Sequence, residues 1–364
     1  MDCQSDWRDG KLTTTNVKRE GDRTNLATDA SQFRKALQSM GLSTAVIDAA
    51  WPDWWCEEAE SSPSARAELR FSLARKLGLD PRSLLDDGEP RFVWRDEAKF
   101  KGRSTEDEQQ CAAIESFGAA IGRHLLSATP PSDYHLVGLD AKELRKSILS
   151  DQPFIRLTDL IVTCWAMGMP IIHLKVFPLP AKHMCAMAVQ VEGRFVIMLG
   201  KDSEYPAPIA YYLAHELGHI ALGHLGDRFS VIDLKDPLEA TEEWDDEEKA
   251  ADRYALELLT GNPSPVVTTE AGRYTAPQLA AHLNAVAEEL RIEPGTLALC
   301  FGHSTKDWPR AMAAMKLVYR NPIPVWSEVN GIASHEIQWD ALSDDTIAYI
   351  RAVMGGVAVD NNGG

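Results

Sequence analysis

The chain has 364 residues, 45% of them hydrophobic, with a formal net charge of −17. That is long enough for two or three domains with a substantial core. Its charge is unevenly placed: residues 1–102 carry 16 Lys+Arg against 18 Asp+Glu, and the remainder 21 against 36. The acidic remainder excludes a nucleic-acid-binding surface spread over that part of the chain.

The opening residues MDCQSDWRDG lack the apolar run of a signal peptide. Residues 1–30 are polar and aperiodic and are expected to form a disordered tail. From Ser31 a helical pattern begins, with Phe33, Ala36, Leu37 and Met40 on one face, then Gly41-Leu42-Ser43 and a short apolar helix through Ile47. This helix–Gly turn–helix outline predicts a helical, helix-turn-helix-like domain over 31–90. Ser64–Leu77 reads as an amphipathic helix, and Leu77–Leu85 as a turn into a terminal helix. Ser43, Thr44 and Asp48 stand on the candidate recognition helix, which has no Arg or Lys. DNA binding through this region therefore ranks below packing or partner docking.

A linker with helices is expected over 91–150. Its first part, Arg91–Arg103, is basic and aromatic, and helices follow at Cys111–Leu126 and Leu139–Leu149. Phe154–Met169 reads as an apolar helix. Met187–Val191 and Phe195–Leu199 alternate around Glu192-Gly193-Arg194 and predict a hairpin, with Pro170–Leu174 as a third strand. Ile161–Pro180 is the most apolar stretch, but His173, Lys175 and its prolines argue against a membrane span. Six cysteines lie far apart with no CxxC pair, which fits a reducing cytoplasm rather than a disulfide framework.

The chemistry concentrates in Pro208–Leu225, which contains His215-Glu216-Leu217-Gly218-His219. Residues four apart on an α-helix differ by about 40° in azimuth, so both imidazoles leave one face, as the first two ligands of a Zn²⁺ must. Glu216 between them is placed to take a proton from an activated water. Extrapolating the helix places His224 about 140° from His219, pointing elsewhere. The longer pattern with Gly at 222 and His at 225 is absent, because both positions are Leu. A second helix over Glu247–Leu259 has an apolar stripe of Ala251, Ala255, Leu258 and Leu259. Glu248 and Asp252 lie four apart on its other side and can supply a carboxylate ligand and a carboxylate that orients an imidazole. Glu243 and Glu247 remain alternative ligands. Tyr211, Tyr274, His282 and His303 are unranked candidates for stabilising an oxyanion.

HELGHIALGH followed by ExxADRYALELL resembles the ImmA/IrrE family of zinc metallopeptidases, whose hallmark is HELGHxxLxH and then ExxANxFAxxLL. The resemblance implies that His215, His219 and Glu248 bind zinc and that Glu216 is catalytic. Asp252 stands where the family usually has Asn, and Tyr254 where it has Phe. Leu290–Gly295 is similar to an I-x-P-G turn found after the metal site. The implied fold is α+β: a mostly helical, zincin-like domain over 151–305 with a small sheet beside the HExxH helix, followed by a C-terminal extension over 306–364. The segment Leu77–Leu85 resembles the end of XRE-type repressor domains. The family implies cleavage of one XRE-type repressor to derepress a stress, defence or mobile-element operon. The competing expectation is a DNA- or partner-binding regulator, or the toxin of a toxin–antitoxin pair, with a non-catalytic metal site.

Overall fold

The computed structural model describes residues 29–93, 105–180, 184–226, 230–233, 246–268, 274–320 and 323–356. Residues 1–28 of the expected tail, most of the basic 91–103 segment and Glu243 lie outside these residues, while Asp29 and Ala30, also expected in the tail, already belong to the first helix. The architecture is mostly helical with one small sheet, an α+β arrangement. No helix among the described residues is long and apolar enough to cross a membrane.

The sheet is built around a hairpin of β2 (Ala186–Val191) and β3 (Arg194–Leu199). Glu192 and Gly193 between them both have positive φ, 51° and 79°, the two-residue turn whose twist matches that of paired strands. β1 (Ile171–His173) pairs in parallel with β3, and β4 (Ser230–Asp233) pairs antiparallel with β2, giving the order β1-β3-β2-β4. β1, β2 and β3 are almost wholly buried, so apolar residues line both faces rather than one.

Two helices account for much of that burial. α4 (Thr105–Ser127) lies against Met187, Val189 and Val191, and α7 (Pro206–Ala221) also packs on β2 and β3. Between them in sequence come α5 (Ala141–Ile148) and α6 (Leu157–Ala166). The helix expected at Phe154 starts only at Leu157, where Asp159 caps it by accepting from the Arg156 amide.

The N-terminal helices α1 (Asp29–Ser39), α2 (Thr44–Ala50) and α3 (Pro63–Leu77) share one buried cluster with the sheet and the C-terminal helices α12 (Val325–Glu336) and α13 (Asp344–Val353). Polar ties reinforce it. Ser43 caps α2 and donates its hydroxyl to the Phe177 carbonyl, while Lys76 donates to Asp345 and to the Ala50 carbonyl. The end of α2 that a recognition helix would aim at DNA is thus packed on the chain's own 177–178 segment. The terminal helix expected after Gly78 is a short 3-10 turn at Pro81–Asp87. α8 (Asp246–Thr260) joins the first cluster, whereas α9 (Ala276–Leu290), α10 (Pro294–Thr305) and α11 (Trp308–Val318) form a second one around Leu279, Leu283, Phe301 and Met315.

His124 near the end of α4 makes this core sensitive to acid. Burial pushes its pKa down to about 4; a hydrogen bond to the Arg75 backbone opposes this, and the charges of Lys76, Arg75 and Arg123 add to it. Its ring meets Tyr349 edge-on. A histidine held neutral in the fold contributes its full stability above the unfolded value of 6.5 and loses it as pH falls toward 4. The loss amounts to about 3 kcal/mol over that window. Denaturant titrations from pH 7.5 to 4.5 should show His124→Phe less acid-sensitive than the parent by an amount of that order. Parallel curves would show that His124 does not carry the effect.

Candidate metal centre

α7 is buried along its length from Ala207 to Ala221. Its start follows from Tyr205, which is extended, and from Pro206 and Pro208 in the first turn, where a missing N–H costs nothing. Apolar residues Ile209, Leu213, Leu217 and Ile220 explain why it sits in the core. They do not explain His215 and Glu216 at 0% exposure and His219 at 1%. Acidic side chains are almost never buried this deeply without a compensating role.

α8 packs across α7, so that His215 faces Glu248 and Tyr211 faces Asp252. The two helices approach unusually closely at Gly218, where a Cβ would come within 2.9 Å of the Ala251 carbonyl oxygen. Only Gly fits there. α8 is also fixed at its far end: the buried Arg145 of α5 donates to the Leu258 and Leu259 carbonyls. Burial, with the charge of Arg291, pushes the Arg145 pKa down to about 10.

This packing brings three ligand-type atoms together. The Nε2 atoms of His215 and His219 are 3.1 Å apart, and the Glu248 carboxylate oxygens lie 3.2 Å from His215 Nε2 and 3.6 Å from His219 Nε2. Ligands about 2.1 Å from a tetrahedral ion are separated by about 3.4 Å, so the spacing fits one divalent cation. Among the described residues, His215, His219 and Glu248 are a group that could hold a metal ion. Burial alone would raise the Glu248 carboxyl, but hydrogen bonding and charge from the two rings hold it well below the usual carboxylate range. Glu247 is half-buried on the same helix, one residue and about 100° away from Glu248.

His224 differs from expectation. The helix does not continue to it: α7 ends at Ala221, Gly223 takes φ +73°, the His224 amide donates to the His219 carbonyl, and the Gly223 amide to that of Ile220. This C-terminal reversal folds the chain back on the helix end. It brings His224 Nδ1 to 3.0 Å from His219 Nδ1. Extrapolating the helical azimuth past Ala221 misplaced this residue. Asp252, read as orienting an imidazole, accepts a hydrogen bond from the Tyr211 hydroxyl. Of the other candidates, Tyr211 is beside His215 with ring centroids 6.3 Å apart, Tyr274 and His282 lie against each other, and His303 is exposed on α10.

A cavity of about 570 Å³ adjoins this centre, with Tyr211 and Asp252 in its wall and α8 and α10 on its sides. It was not visible in the sequence, because its lining comes from separate segments. Scans of the chain against protein-family models, curated proteins and solved structures give no match.

Proposed function

We propose that the chain is a zinc-dependent endopeptidase with a zincin-like catalytic region, and that its substrate is an XRE-type repressor. The observation that carries this is the convergence of His215, His219 and Glu248 within 3.1–3.6 Å, with a fully buried Glu216 between the two histidines in sequence. His215, His219 and Glu248 would hold the ion. When bound, zinc supplies a Lewis acid that makes water a nucleophile near neutral pH and polarises the peptide carbonyl. Glu216 takes the proton of the attacking water and delivers it to the leaving amine. Burial of both histidines keeps competing solvent from their rings. The resemblance to ImmA/IrrE peptidases supports the substrate class and a cytoplasmic setting. The test is incubation of zinc-loaded protein with a purified XRE-type repressor. One discrete cut, abolished by chelator, is expected; an intact repressor would remove this substrate.

His224 has a defined part in this scheme. A neutral imidazole that gives Nε2 to a metal carries its proton on Nδ1, and His219 Nδ1 then donates to His224 Nδ1. His224 is therefore a positioning residue for His219. Replacing such a partner costs about 10–100-fold in metal affinity. His224→Phe should lose affinity on this scale in a zinc-competition titration, and His224→Asn should recover part of it. Equal affinity in all three proteins would remove the role.

A further inference from the structure

Tyr211 and Asp252 each sit one helical turn from a metal-ligating residue, His215 and Glu248, and both line the 570 Å³ cavity. Its walls are otherwise largely apolar, with Leu256 and Leu259 of α8, Leu299 of α10 and Trp308. A volume of this size lies within the range of specific ligand pockets. Its lining also includes Lys249 and Arg253, both exposed, one turn apart on α8, and without an ion-pair partner among the described residues. This happens within residues 103–364, where Asp and Glu outnumber Lys and Arg by 36 to 21. Against the one lining carboxylate, Asp252, which accepts from Tyr211, these two cations leave the wall with an excess of positive charge beside an apolar hollow, which favours an anion next to a hydrophobe.

We propose that this cavity receives a large apolar side chain of the polypeptide substrate, and that Lys249 and Arg253 hold an Asp or Glu beside that residue. The proposal rests on the metallopeptidase function above. A substrate segment seated there would run past the Tyr211–Asp252 pair to the metal ligands, so the cavity would choose which peptide bond is presented. A free amphiphilic carboxylate would meet the same apolar wall and the same cations, but continuity with the metal ligands through Tyr211 and Asp252 favours a polypeptide.

The test uses the full-length, zinc-loaded Glu216→Gln protein and a randomised library of acetylated, amidated octapeptides, with retained peptides identified by mass spectrometry. Peptides with Leu, Phe or Trp next to Asp or Glu should be enriched about tenfold, the scale of a single apolar subsite. Adding Leu256→Trp, which fills the hollow, should move the preference to small residues. Adding Lys249→Glu with Arg253→Glu, both at exposed positions, should abolish or reverse the acidic preference even if the Leu256 variant fails to fold. No retained peptides, no apolar–acidic enrichment, or displacement by octanoate with no peptide bound would overturn the proposal. Wild-type protein separates the two claims. Enriched peptides that bind but are never cut would sink the peptidase function and spare the pocket; cutting without that preference would do the reverse.

Discussion

Glu216→Gln should bind zinc with the parent's stoichiometry and lose cleavage by about 10²–10⁴-fold, the usual contribution of a positioned general acid–base group. Gln has nearly the shape of Glu but cannot accept and return a proton, so the variant isolates that function from packing. Stability supplies an independent control. Glu216 is fully buried on a helix packed into the core, and a carboxylate in such a place is expensive to desolvate. The neutral isostere should therefore leave the melting temperature unchanged or raise it, the usual sign of a residue kept for activity rather than for the fold. A variant that still cuts at the parental rate would take the proton-transfer role from Glu216. A variant that loses both zinc and stability would make it a structural group.

Glu248→Ala should cost more zinc affinity than the 10–100-fold expected for His224→Phe, because it removes a ligand rather than a partner of one. The matched control is Glu247→Ala, one residue earlier on α8 and about 100° around it. Zinc should stabilise the parent and the control by mass action, by about 2.7 kcal/mol at a hundredfold excess over the dissociation constant, and should leave Glu248→Ala unmoved. Thermal melts with and without zinc read this directly. If Glu247→Ala behaved like Glu248→Ala, the carboxylate ligand would have been assigned to the wrong residue.

The shared face of His215 and His219 was legible because a helix repeats every 3.6 residues, a rule that holds while the helix lasts. Glu248, on a separate helix, was reached through its pairing with Asp252 and the family resemblance. The helical rule fails where α7 ends. Gly223 reverses the chain two residues past Ala221, which is why His224 returned to His219 when the extrapolated azimuth sent it away. Gly218 shows a second kind of blindness: its spacing from His219 carries no sign that the Ala251 carbonyl lies 2.9 Å from where its Cβ would be. The hairpin was read correctly because Glu192-Gly193 is a turn pair between two short apolar runs. β4 was missed because four residues give too short a pattern, and its strand character comes from pairing with β2. The wall of the cavity joins Tyr211, Leu256, Leu299 and Trp308 only once α7, α8, α10 and α11 have packed.

The most direct measurement is zinc-edge anomalous diffraction from crystals of the zinc-loaded chain. The account predicts one zinc ion bound by the Nε2 atoms of His215 and His219 and a Glu248 oxygen, each about 2.0–2.2 Å away, with a further position open to water. An ion held elsewhere, or no ion on these three side chains at saturating zinc, would contradict it.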